Sequence, residues 1–157
     1  MQKNFERMLA LVGEVFDVKN DPSQLDVTPA VMEQLAALHP ATMSEVSDEH
    51  GPILWLLGIP TTTDIMQNFL EAEISEQQLL DMTHPWDNFE AIYMCSATVL
   101  PEHRHKGLAS KKAIEVINKI KADYPIKALY YWKFSNEGEW LANSISKKTG
   151  LPVYERC

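Results

Sequence analysis

The sequence predicts an α/β (α+β) protein, with a mixed central sheet flanked by helices and a helical N-terminal portion. Three observations point there. Segments with one apolar face at helical spacing alternate with short apolar runs rich in β-preferring residues. Residues 91–134 form a strand–helix–strand unit, which requires parallel strands joined by a right-handed crossover. The chain has 157 residues and is 45% hydrophobic, enough for a single domain over 1–157 with a real core.

Phe5, Met8, Leu9, Val12, Val15 and Phe16 trace one face of a first helix, which Asn20-Asp21-Pro22-Ser23 ends. Thr28-Pro29 starts a second helix: an N-cap, then proline at the first helical position. Its buried stripe is Val31, Leu35 and Leu38, and His39-Pro40 closes it. Residues 41–51 are polar and acidic, a loop with one short strand. Pro52 to Ile59 is almost wholly apolar, as a strand buried on both faces should be. Thr61-Thr62-Thr63-Asp64 starts a helix with the stripe Ile65, Met66, Phe69 and Leu70. Ser75-Glu76-Gln77-Gln78 is a capping box for a short helix through about Met82.

His84-Pro85-Trp86-Asp87 is a loop, and a central strand follows over about 91–100. A helix from about Ala109 to Ala122 buries Ala113, Val116, Ile117 and Ile120, and Tyr124-Pro125 stops it. Ile126 to Phe134 is another strand. Asn136 and Glu139 open a helix that runs to about Lys148. Gly150 caps it, and Pro152 to Arg156 form the last strand.

The net charge of −8 argues against general nucleic-acid binding. The charge is unevenly spread. Residues 1–100 hold 3 Lys/Arg against 16 Asp/Glu, and residues 101–157 hold 11 against 6. An anionic ligand suits the second part and a cationic or neutral partner the first. The longest apolar run, Ile53 to Ile59, is too short to span a membrane. Lys3, Glu6 and Arg7 do not suit a signal peptide. Two cysteines without metal spacing suit a reducing cytoplasm and no metal.

The basic part begins at Arg104-His105-Lys106-Gly107-Leu108-Ala109, between the central strand and its helix. A helix N-terminus has backbone N–H groups with no intrahelical partner, and its dipole favours negative charge. Such a loop is a natural phosphate cradle. Gly107 admits close backbone approach, and Ala109 keeps the first turn slim.

This loop resembles the Q/R-x-x-G-x-G/A pyrophosphate loop of the GNAT superfamily of acyl-CoA-dependent N-acyltransferases. The ending Lys147-Lys148-Thr149-Gly150-Leu151-Pro152 resembles the turn before that family's last strand, and the likeness covers about residues 90–157. It implies a GNAT-like domain that uses acetyl-CoA as cosubstrate and transfers its acyl group to an amine of a small molecule or protein, as a monomer or homodimer without nucleic-acid or membrane partners. Backbone groups of Arg104, His105, Lys106, Gly107, Leu108 and Ala109 would hold the pyrophosphate, with Ser110 nearby. Lys111 or Lys112 would reach the 3′-phosphate. Thr98, Val99 and Leu100 would pair with the pantetheine arm, where family members splay two strands. Asn136 stands for the family's asparagine early in the last helix, although its spacing to Gly150 is longer than usual.

The leaving thiolate needs an acid and the amine a base. Where many members have a tyrosine, four residues before the terminal glycine, this chain has Ser146. Serine is a poor acid for this step, so the proton would come from Tyr130, Tyr131 or Tyr154 or from water; Tyr131 and Ser146 are kept as catalytic candidates. Cys95 is the candidate nucleophile. Glu90, Glu102, Glu137, His103 and His105 are the candidates for a base. The alternative implied is a GNAT-like domain that binds CoA or a related nucleotide without catalysis.

Overall fold

The computed structural model describes residues 3–19, 25, 28–133 and 136–156, with the side chains of 13–19, 136 and 137 outside that set. The elements run α1 (Lys3–Lys19), α2 (Pro29–Leu38), β1 (Met43–Asp48), β2 (Gly51–Thr61), α3 (Thr63–Leu70), α4 (Glu76–Asp81), β3 (Ala91–Val99), α5 (Leu108–Asp123), β4 (Ala128–Trp132), α6 (Asn136–Thr149) and β5 (Val153–Arg156). The five strands form one mixed sheet in chain order. The β1–β2 and β2–β3 pairs are antiparallel; β3–β4 and β4–β5 are parallel. The chain is therefore mixed α/β. No described helix is long and apolar enough to cross a membrane.

Local chemistry explains the helix starts. Thr28 Oγ1 accepts from the Val31 N–H at 3.3 Å, with Pro29 in the first helical turn. Ser75 and Gln78 exchange the two bonds of a capping box, at 2.8 and 3.1 Å. Gly150 takes a left-handed φ of 75° just after α6, the conformation in which a helix cap favours glycine.

The apolar run in β2 follows from its place between β1 and β3, and all but one of its residues are buried. The strand runs two residues past Ile59, through Pro60 and Thr61. Residues 41–51 give β1 and a tight turn into β2. The strand expected over 126–134 is assigned only to Ala128–Trp132, and Phe134 lies outside the described residues, as do Asn20–Ser23.

The α1 face needs correction. Met8 is fully buried, but Phe5, Leu9 and Val12 are each about two-fifths to one-half exposed. Met8 packs with Ile53 and Leu100 in a small cluster beside the main core. A periodic apolar stripe is only a capacity for burial, and here one residue of its described part is fully inserted.

The main core has a polar seam. Phe69 of α3 lies 4.7 Å, centroid to centroid, from Tyr93 of β3, and Tyr93 lies 5.1 Å from Tyr130 of β4. The Tyr130 and Thr61 hydroxyls share a 2.7 Å hydrogen bond. Tyr93 donates to the buried carboxylate of Glu76, which also accepts from the Leu25 N–H at 2.7 Å. Burial pushes both phenol pKa values up, so both phenols stay protonated. Glu76→Ala should remove about 2–3 kcal/mol of unfolding free energy, because the Tyr93 hydroxyl and the Leu25 N–H lose their buried acceptor. Urea denaturation measures this; an unchanged midpoint would show that the seam carries no stability.

Candidate functional site

The site is built on β3 and the loop after it. On one side β3 pairs with β2 from Ala91 to Val99. On the other it pairs with β4 at only three residues, Ala91, Ile92 and Tyr93. From Met94 onward that edge has no strand partner among the described residues, while β4 continues to Trp132 against β5. The two parallel strands part at Tyr93.

A bulge sits at the parting. Leu57 pairs with Ser96 and Gly58 with Met94, leaving Cys95 as the extra residue. Gly58 faces Ile92 and Val116 at ordinary contact distance from where a Cβ would lie. At the far end of β3 the Leu100 N–H still donates to Ile53 at 3.0 Å, whereas the Val99 carbonyl accepts from Arg104 Nε at 3.0 Å. Arg104 thus folds back onto the strand.

The chain then makes one 3-10 turn over Pro101–His103. Glu102 receives two 2.6 Å bonds from Arg7 of α1, bracing this turn against the N-terminal helix. His105 and Gly107 both have left-handed φ, 63° and 74°. Mixed right- and left-handed turns of this kind bend backbone N–H groups into anion-binding concavities. Gly107 is the N-cap of α5 and supplies no capping side chain. A Cβ built there would meet nothing within 4 Å, so glycine is favoured by its φ and not by crowding, and the space in front of it is open. Ser110, in the first turn of α5, is 2% exposed, and its hydroxyl has no hydrogen-bond partner among the described residues. Buried hydroxyls are seldom left so.

Other expected residues lie in varied settings. Lys106 and Lys111 are exposed near the loop, whereas Lys112 pairs with Glu115 at 3.2 Å. Thr98, Leu108 and Ala109 are half-buried and Leu100 is fully buried. Cys95 directs its thiol to Glu76 at 3.6 Å. Tyr131 is buried in β4, beyond the last residue paired with β3. The Ser146 hydroxyl donates to the Leu151 carbonyl at 2.7 Å and closes the turn from α6 into β5. The side chains of Asn136 and Glu137 lie outside the described residues.

Among the candidate bases, Glu90 pairs with Lys127 at 3.0 Å, and His103 approaches Asp48 at 3.7 Å. His84 stacks on the exposed Trp86. No described cluster of His, Cys, Asp or Glu could hold a metal ion. A groove of about 480 Å³ lies elsewhere, between α5 and the α2–β1 connection, and includes His39, Glu45 and Lys119. It contains no residue of the loop or of β3.

Comparison with protein-family models and with curated proteins finds no match. The functional reading therefore rests on the geometry and the loop motif. Sequence reasoning missed Glu76 as a buried carboxylate, because a glutamate in the first turn of a helix ordinarily faces water.

The Arg7 brace makes a pH prediction. Arg7 lowers the Glu102 pKa from 4.5 to about 2. A depressed carboxylate pKa contributes stability above the unfolded value that is lost as pH falls through the folded value. The melting-temperature advantage of wild type over Glu102→Gln should be constant above about pH 5 and shrink toward pH 2. A pH-independent difference would show that the pair is not coupled to folding.

Proposed function

We propose that the chain is an acetyl-CoA-dependent N-acyltransferase of the GNAT type, transferring an acyl group to an amine. The observation that carries this reading is the parting of β3 from β4 after Tyr93, which frees a strand edge leading straight into the glycine loop. The pantetheine arm is peptide-like and suits such an edge. The loop also fits a pyrophosphate. It offers the uncapped N-terminus of α5, open space before Gly107 and the partnerless Ser110 hydroxyl.

In this reading the backbone N–H groups from Arg104 to Ala109 and the Ser110 hydroxyl hold the phosphates. Lys106 and Lys111 add positive charge. Arg104 leaves the Val99 carbonyl, which then accepts from the acyl arm, and the guanidinium turns toward the phosphates. Bound acetyl-CoA supplies an acyl group already activated as a thioester. The acceptor amine must lose a proton, and the leaving thiolate must gain one.

One observation favours a second reading, a domain that binds CoA without turnover. Ser146 stands at the position of the family's tyrosine, and its hydroxyl is engaged by Leu151.

Thermal melting with acetyl-CoA, CoA and ATP tests the binding step. A ligand at about 100-fold above its Kd stabilises the folded state by about 2.7 kcal/mol. Acetyl-CoA and CoA should raise the melting temperature, and Gly107→Glu should abolish the rise while the protein still folds. Absence of a shift at millimolar CoA would overturn the reading. Thiol release across an amine panel then separates transfer from binding alone.

A further inference from the structure

Arg156, in β5, is a buried cation with unused donors. The residue is 7% exposed. Its guanidinium carbon lies 4.0 Å from the Trp132 ring centroid and 4.4 Å from that of Phe69. These rings meet at 82°, so the group sits in an aromatic corner. Nη1 donates to the Ile74 carbonyl at 3.1 Å, and Nε has no partner among the described residues. No described carboxylate is within ion-pair distance. Glu155, its chain neighbour, faces Lys133, and Glu76 is taken by Tyr93, Leu25 and Cys95.

A buried charge without a counter-ion is unfavourable, and ring contacts offset only part of that cost. The unused Nε–Nη2 edge of a guanidinium is a planar pair of donors, spaced to grip a carboxylate with two bonds. Its place in the fold is informative. Arg156 pairs in register with Trp132, at the carboxyl end of β4, where ligands of parallel sheets bind. Phe69, which it touches, also packs on Tyr93, where β3 and β4 part.

We propose that Arg156 binds the carboxylate of the acceptor, so that the acceptor is an amino acid or a similar small amine carrying a carboxylate. This rests on the acyl-transfer reading for the role of the ligand, but not for its binding. Nε is shielded from solvent, so the incoming carboxylate replaces protein contacts there.

The test is calorimetry on the full chain with α-, β- and γ-amino acids, each paired with its carboxamide, with and without CoA. At least one acid should bind about tenfold more tightly than its amide. Arg156→Lys keeps the charge and stem but not the fork, and should lose that preference with little change in melting temperature. Arg156→Met should lose it without a fall in melting temperature, because the uncompensated charge is gone. Equal binding of acids and amides, no binding of any acid, or a preference that survives in Arg156→Lys would each overturn the proposal. The two readings fail separately. Acid binding without acetyl transfer leaves the Arg156 site standing and removes the transferase, whereas acetylation indifferent to the carboxylate does the reverse.

Discussion

Backbone hydrogen bonding at β3 is the constraint on which the candidate site depends. Each residue has a donor and an acceptor that must find partners. β3 pairs with β2 from Ala91 to Val99, interrupted by the bulge at Cys95, but with β4 only through Tyr93. The exposed edge that results would ordinarily be a liability. Here its last carbonyl is covered by Arg104, from the very loop that follows it. Strand edge, bulge and helix N-terminus are therefore one structure, and a ligand that occupies the edge must compete with Arg104.

The polar interior is organised around the same parting. Tyr93 is the last β3 residue that pairs with β4, and its hydroxyl reaches Glu76. Its ring rests on Phe69, which in turn carries the guanidinium of Arg156. Glu76 has its donors and Arg156 keeps an unused edge. Glu76 is a buried carboxylate with its bonds made, whereas the buried Arg156 guanidinium has a donor with no partner among the described residues. The helices α3 and α4 and their connection, inserted between β2 and β3, supply Glu76 itself and the Phe69 ring and Ile74 carbonyl that meet Arg156 of β5.

Much of the architecture was legible beforehand. The Thr28-Pro29 start, the Ser75–Gln78 box and the Gly150 cap are local chemistry, and each appears where the residues put it. The run from Pro52 to Ile59 announced a strand covered on both faces. The loop Arg104–Ala109 was legible as a bend before a helix, and the left-handed φ of Gly107 agrees with the choice of glycine. The α1 stripe misled, because periodicity gives the direction of side chains and not what lies opposite them. Phe5, Leu9 and Val12 stay largely exposed for that reason.

By itself, then, the sequence determined the order of elements, their caps and the basic glycine loop, since these follow from interactions a few residues long. Tertiary structure alone decided where β3 leaves β4, that Cys95 is the bulge residue, and that Ser110 is buried without a partner among the described residues. It alone also placed Glu76 under Tyr93 and Arg156 between Phe69 and Trp132. Those contacts join residues 17, 87 and 24 positions apart. No local pattern encodes them, because the partner arrives only when the sheet is assembled.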